Sequence, residues 1–176
     1  MSRNGKALAN EGTLIVRHLR PFLSEPMKIV DCNAGAGALY FAFLDEDPSA
    51  VGIEIAPVEF SNLERNVKAM KKRSAMVNNT DCANFLSKVR PGTFNVIFFD
   101  PDETADGELV IGGKTKDFTT FVASIGEKNL SALTVIKTSP QWEPAKVQKK
   151  LKKKIITTIP IKRQNYVSYH IHIIHE

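Results

Sequence analysis

Residues 27 to 43 read MKIVDCNAGAGALYFAF: an apolar run, an aspartate, a turn holding Gly35 and Gly37, then a helix-forming stretch. A continuous apolar run is the mark of a strand covered on both faces, as in parallel sheets. Parallel strands need crossover connections, and helices supply them. Glycines in the turn let the backbone approach a ligand where a Cβ would intervene. This stretch commits the chain to an α/β sheet with a small-molecule site beyond the carboxyl end of its first strand. Two ligand classes use such a turn, the dinucleotides and S-adenosylmethionine.

The same alternation continues. Helical spacing predicts a helix over 13–23, stopping near Pro26, and helices over 37–47, 57–72 and 82–89. Strands are predicted at 27–32, 50–56, 74–80 and 94–100. Residues 101–116 read as a long glycine-containing loop. A helix over 117–129, a strand over 132–138 and a helix over 143–154 follow. Residues 155–163 and 165–174 are two strands joined tightly enough to be antiparallel. The expectation is one α/β domain over 1–176, with an N-terminal helical segment (1–26) and a core (27–176). Its sheet has about seven mostly parallel strands, an antiparallel final hairpin, and helices on both faces.

The dinucleotide fingerprint G-x-G-x-x-G needs a third glycine, and Tyr40 stands in its place. Four acids, Asp31, Glu54, Asp81 and Asp100, fall at the carboxyl ends of four successive strands. A pyrophosphate is repelled by such a rim. A sulfonium and an amino-acid ammonium are attracted to it. Asn33 in the turn, Ile55 after Glu54 and Cys82 after Asp81 belong to the same rim.

VDCNAGAGALYFAF, VGIEIAPVEFSNLERNV, NNTDCANFL and FNVIFFDPD resemble the successive motifs of class I, Rossmann-like S-adenosylmethionine methyltransferases, over about Met27 to Asp102. Within them, ERNV and the Asp-Pro after strand four resemble RNA base-modifying enzymes. The resemblance implies that Asp31, Gly35 and Gly37 line the methionine end, Glu54 holds ribose, Asp81 borders adenine, and Asp100 faces the methyl group. Amino-group enzymes of this kind carry a second proline and an aromatic here, whereas this chain reads Asp100-Pro101-Asp102-Glu103. The stretch from Val135 resembles the end of FtsJ-type ribose 2′-O-methyltransferases, with Asp100 and Lys137 at two of their four catalytic positions. Their glutamate corresponds to Gln164 or Asn165. Their early lysine has only loose counterparts in Lys6, Arg17 and His18. The acceptor is therefore a base amine or a ribose 2′-oxygen, with Asp100 and Lys137 as the catalytic candidates.

Charge points the same way. The net charge is +5, and it is clustered, which suits phosphate backbones. Lys149, Lys150, Lys152, Lys153, Lys154, Lys162 and Arg163 are the RNA-binding candidates; KAMKKR, residues 68–73, is a second cluster. RNA is the expected partner, with a protein partner supplying target choice. Trp142 and Tyr166 stack on a base or pack. Cys32 and Cys82 lack metal-knuckle spacing and are expected as small buried groups. His170, His172 and His175 alternate on one half-exposed strand face, so no metal is expected. No apolar run is long enough for a membrane span and the N-terminus lacks a secretory h-region, so an intracellular, by default cytoplasmic, protein is expected. The competing reading is a methyltransferase-like RNA-binding or structural subunit of a larger assembly, without activity.

Overall fold

The computed structural model describes residues 3–72, 74–103, 109–111, 114–116, 131–142, 145, 148, 155–163 and 166–175. It divides into two compact units, Met1–Ser87 and Lys88–Glu176.

The first unit opens with α1 (Arg3–Leu19) and a 3-10 turn (Arg20–Phe22). The helix begins ten residues before the predicted start and ends earlier. Pro21 stops it, because it has no N–H to donate and its ring clashes with the preceding turn. Three parallel strands follow, β1 (Ile29–Asp31), β2 (Val51–Glu54) and β3 (Met76–Asn79), in the order β3-β2-β1. Val30 pairs with Val51, and Glu54 with Asn79. The helices α2 (Ala38–Glu46), α3 (Pro57–Ala69) and α4 (Cys82–Ser87) alternate with them.

Six consecutive α2 residues, Leu39 to Leu44, are buried. A helix that is apolar all round must be covered on all sides, and α1 supplies part of that cover through Ile15, Val16 and Leu19. The helices meet at Gly12, where an added Cβ would lie 2.3 Å from the Ala42 Cβ. Gly12→Ala is therefore expected to destabilise the fold by about 1–3 kcal/mol through overpacking, despite alanine's better helix propensity. Urea unfolding of the two proteins measures it, and a gain in stability would show that α1 does not pack there.

Tyr40 is fully buried. Its hydroxyl lies 3.1 Å from the Ala50 carbonyl and 2.9 Å from the Met76 carbonyl. Burial pushes its phenol pKa well up. An added Cβ at Gly52 would come within 3.2 Å of its ring. Here the glycine that permits close helix–strand approach sits on the strand, and the tyrosine on the helix fills the space.

The second unit contains β4 (Val96–Phe99), β8 (Leu133–Thr138), β9 (Ile155–Arg163) and β10 (Tyr166–His175), in the order β4-β8-β10-β9. β4 and β8 are parallel, with Val96 opposite Leu133; β10 is antiparallel to both its neighbours. The two units together hold the seven predicted strands, mostly parallel with an antiparallel final hairpin.

Two expectations are corrected. Residues 101–116 are not a plain loop. They include β5 (Asp102–Glu103), β6 (Leu109–Ile111) and β7 (Lys114–Lys116), which form a three-stranded antiparallel sheet. The Gly112-Gly113 pair between Ile111 and Lys114 is the two-residue hairpin signal. The histidine face is also not half-exposed: His170 and His172 are buried and only His175 is exposed. Residues 170 and 172 share one face, where Thr138 and Thr158 bond His172, while His175, three residues on, points to the opposite face. The helix predicted over 117–129 lies outside the described residues, as does that over 143–154 apart from Ala145 and Gln148, which are helical.

Candidate functional site

The eight cofactor candidates other than Asp100 all lie in the first unit. Asp31 ends β1 and is 1% exposed. Its Oδ1 accepts the Asn33 N–H at 3.3 Å, and the Asn33 Oδ1 is buried with no partner among the described residues. Gly35 (φ +52) and Gly37 (φ +98) are both left-handed, a region that favours glycine. Their surroundings differ. A Cβ on Gly35 would meet nothing within 4 Å, whereas one on Gly37 would strike Leu63 and the Phe41 ring at 2.7 Å. Gly37 thus lets the turn pack on α3, and Gly35 leaves open space above the turn.

Glu54 is buried at the end of β2. Its Oε2 accepts the Gly35 N–H and its Oε1 the Ala56 N–H, both at 2.8 Å. The carboxylate therefore straps the glycine turn to the strand end, a role the sequence reading missed. Each of its oxygens keeps lone-pair capacity for another donor. Asn66, in the ERNV stretch of α3, donates to the Ala36 carbonyl at 2.9 Å and fixes the other side of the turn. Asn79 donates to the Glu54 and Ile55 carbonyls at 2.8 and 3.2 Å. Ile55 is 44% exposed, a large apolar side chain open beside the strap.

Asp81 caps α4: its Oδ1 accepts the Asn84 N–H at 2.8 Å, the usual use of an aspartate at a helix start. Cys82 and Cys32 are buried free thiols. Burial, then a hydrogen bond with Cys82, pushes the Cys32 thiol up, so it is a packing group rather than a nucleophile. Asp47, unassigned from sequence, is buried at the end of α2. It accepts the Ile29 N–H at 2.8 Å and the Ser49 N–H and Oγ–H at 2.9 and 2.6 Å, anchoring the start of β1.

The second unit brings the two catalytic candidates together. Asp100 follows β4, and its Oδ2 lies 2.5 Å from the Lys137 Nζ on β8. The pair is half-buried, with side-chain exposures of 30% and 21%. The Lys137 Nζ also stands 4.7 Å from the centroid of the Tyr169 ring on β10, a cation–π distance. Sequence reasoning missed Tyr169, which comes from a strand whose place in the sheet has no local signal. Beside the pair, Glu103 accepts the Ser139 N–H at 2.5 Å and the Gln141 amide at 3.3 Å, and the buried Ser139 Oγ has no partner among the described residues. Trp142 is half-buried and donates its backbone N–H to the Ser139 carbonyl. Lys162 is exposed on β9. Lys149, Lys150, Lys152, Lys153, Lys154, Gln164 and Asn165, with the side chains of Lys6, Arg163 and Tyr166, lie outside the described residues. Arg17 and His18 are exposed on α1. Among the described residues no acid, histidine or cysteine group is arranged to hold a metal, and no helix is long and apolar enough to cross a membrane.

A polar rung crosses the hairpin. His172 Nε2 lies 3.0 Å from Thr138 Oγ1 and Nδ1 lies 3.0 Å from Thr158 Oγ1. Burial, with His170 next, lowers the His172 pKa from 6.5 to about 4. Between these values the unfolded chain binds the proton and the folded one does not. Stability therefore falls as pH drops from 6.5 towards 4, by roughly 3 kcal/mol in total. Urea midpoints over that range should decline less steeply in His172→Gln; equal slopes would remove the assignment.

No family model matches the sequence, and no curated protein matches it. Solved structures do. A candidate methyltransferase from Escherichia coli, yhhF, is 20% identical, with 95% of this chain and 84% of that one covered and a TM-score of 0.62. A candidate RNA methyltransferase from Pyrococcus horikoshii, PH1948, is 15% identical over 96% of this chain and 83% of that one, TM-score 0.63. An S-adenosylmethionine-dependent methyltransferase from Clostridium acetobutylicum is 9% identical over 93% and 89%, TM-score 0.66. With the strand order and the hairpin described above, these likenesses show that the chain has the Rossmann-like α/β fold of class I methyltransferases.

Proposed function

We propose that the protein transfers a methyl group from S-adenosylmethionine to RNA, at a ribose 2′-oxygen or a base amine. The observation that carries this reading is the first unit's turn: a buried carboxylate on Asp31, an unpartnered buried oxygen on Asn33, and open space at Gly35. Buried polar atoms need partners, and these are acceptors suited to a cation. The Clostridium and Pyrococcus structures, one S-adenosylmethionine-dependent and one a candidate RNA enzyme, support the cofactor and the substrate class.

S-adenosylmethionine supplies a methyl group on a positively charged sulfur, open to in-line displacement. In this reading Asp31 and Asn33 hold the ammonium, while Gly35 and Gly37 keep the backbone close. The spare lone pairs of Glu54 accept the ribose hydroxyls. Ile55 offers an apolar face to the adenine, Asp81 borders its edge, and Cys82 closes the wall. The Lys137 ammonium orients the acceptor, Asp100 takes up its proton, and approximation supplies much of the rate. The Asp100–Lys137 ion pair favours the ribose oxygen. A carboxylate already engaged by a lysine is a poorer receiver for an exocyclic amine, and Asp102 and Glu103 replace the proline and aromatic that hold a base. Lys162 and the basic tract 149–154 hold the phosphate backbone.

The test is calorimetry with S-adenosylmethionine, followed by transfer of its labelled methyl group into cellular RNA and mass spectrometry of the nucleosides. Binding and label in RNA are expected. RNA retained with no heat from S-adenosylmethionine is the outcome that favours a binding or structural subunit.

A further inference from the structure

The C-terminal end of α3 carries a cleft that the reading above does not use. The helix starts three residues after Glu54 and runs for 13 residues, about 20 Å at 1.5 Å per residue. Asn66 on α3 still reaches Ala36 in the glycine turn, and the cleft begins at the next residue, along the last turn of the helix. The cleft measures about 520 Å³ and is lined by Val67, Lys68, Lys71, Lys72 and Ala75.

The backbone explains how three lysines converge there. The Lys72 N–H bonds the Val67 carbonyl at 3.2 Å, and the Lys71 N–H bonds the Lys68 carbonyl at 3.1 Å. These are the two hydrogen bonds of a Schellman helix end, whose left-handed position glycine usually fills. Here that residue is Lys71, with φ +54, the one described non-glycine residue at positive φ. A side chain there costs backbone strain, so the fold alone gives no reason for a lysine. Lys72 is paired with Asp45. Lys68 and Lys71 are exposed and, among the described residues, have no acidic partner.

We propose that this cleft binds the phosphodiester backbone of RNA, as a second contact on the helix that flanks the glycine turn. The inference rests on RNA being the substrate. Lysines that neutralise phosphates release condensed counterions, so each contact steepens the salt dependence of binding.

The test uses the full chain and a labelled single-stranded RNA of about 20 nucleotides, a length chosen to exceed the α3 span, with anisotropy read across a salt series. Two variants are compared, Lys71→Gly and Lys68→Ala/Lys71→Gly. Lys71→Gly should raise the melting temperature, because glycine relieves the left-handed strain, and yet weaken RNA binding several-fold. The log–log salt slope should shrink by about 0.7 per lost contact. The double variant should lose about tenfold in affinity while binding S-adenosylmethionine as the parent does. Parent affinity and slope in both variants would overturn the cleft and leave the RNA reading standing. A parent protein that binds S-adenosylmethionine but no RNA at low salt would remove both.

Discussion

Lys137→Met is expected to slow methyl transfer by about 10²–10³-fold, the range for removing one preorganised donor, with S-adenosylmethionine affinity little changed. Methionine keeps most of the aliphatic stem and removes the ammonium. Two contacts then change: Asp100 loses its 2.5 Å partner and the Tyr169 ring loses its cation; in the proposed reading the acceptor loses its orienting charge as well. The stability cost should stay within about 1 kcal/mol, since the pair is partly exposed. A single-turnover rate and a melting curve on the same sample separate chemistry from folding. A rate within a few-fold of the parent would make the Asp100–Lys137 pair a structural ion pair and return the acceptor question to the base amines.

Glu54→Ala should be the most damaging change in the first unit. Hydrogen bonds to a charged group contribute about 1.5–3 kcal/mol each. In the proposed reading, losing the bonds to two ribose hydroxyls therefore weakens cofactor binding by roughly 100-fold or more. The same substitution strips the Gly35 and Ala56 amides of their acceptor, so the turn loosens and the protein melts at lower temperature. The two consequences can be parted by Glu54→Gln, whose amide oxygen still accepts one backbone N–H. It should recover part of the melting temperature and less of the affinity. If the alanine variant melts early but binds S-adenosylmethionine as tightly as the parent, Glu54 is a strap for the turn and nothing more.

The first unit was legible because its signals are local. An apolar run, two glycines and an all-apolar helix lie within 17 consecutive residues, and the structure joins them as read. The acids at the strand ends were also placed correctly along the chain. Their hydrogen bonds were not, because the Gly35 amide that reaches Glu54 is 19 residues away and no periodicity encodes it. In the second unit, alternating histidines look like a wet strand face. His172 is buried because Thr138 and Thr158, on two other strands, each offer a hydroxyl. Strands of two or three residues, such as β5 to β7, are too short for alternation to register, and only Gly112-Gly113 marked the hairpin. Tyr40 was read as an argument against a pyrophosphate; its packing against Gly52 explains why a tyrosine fits there.

The order β4-β8-β10-β9 has a consequence for how this unit is assembled. β10 is translated after β9 yet inserts between β9 and β8. Until it emerges from the ribosome, β8 presents a bare row of amides and carbonyls along one side, and β9 has nothing to lie against. Such an open margin invites pairing with other chains. The nascent protein is most exposed to aggregation in the interval between the emergence of β8 and that of residues 166–175, and holdase protection at that moment should raise its yield.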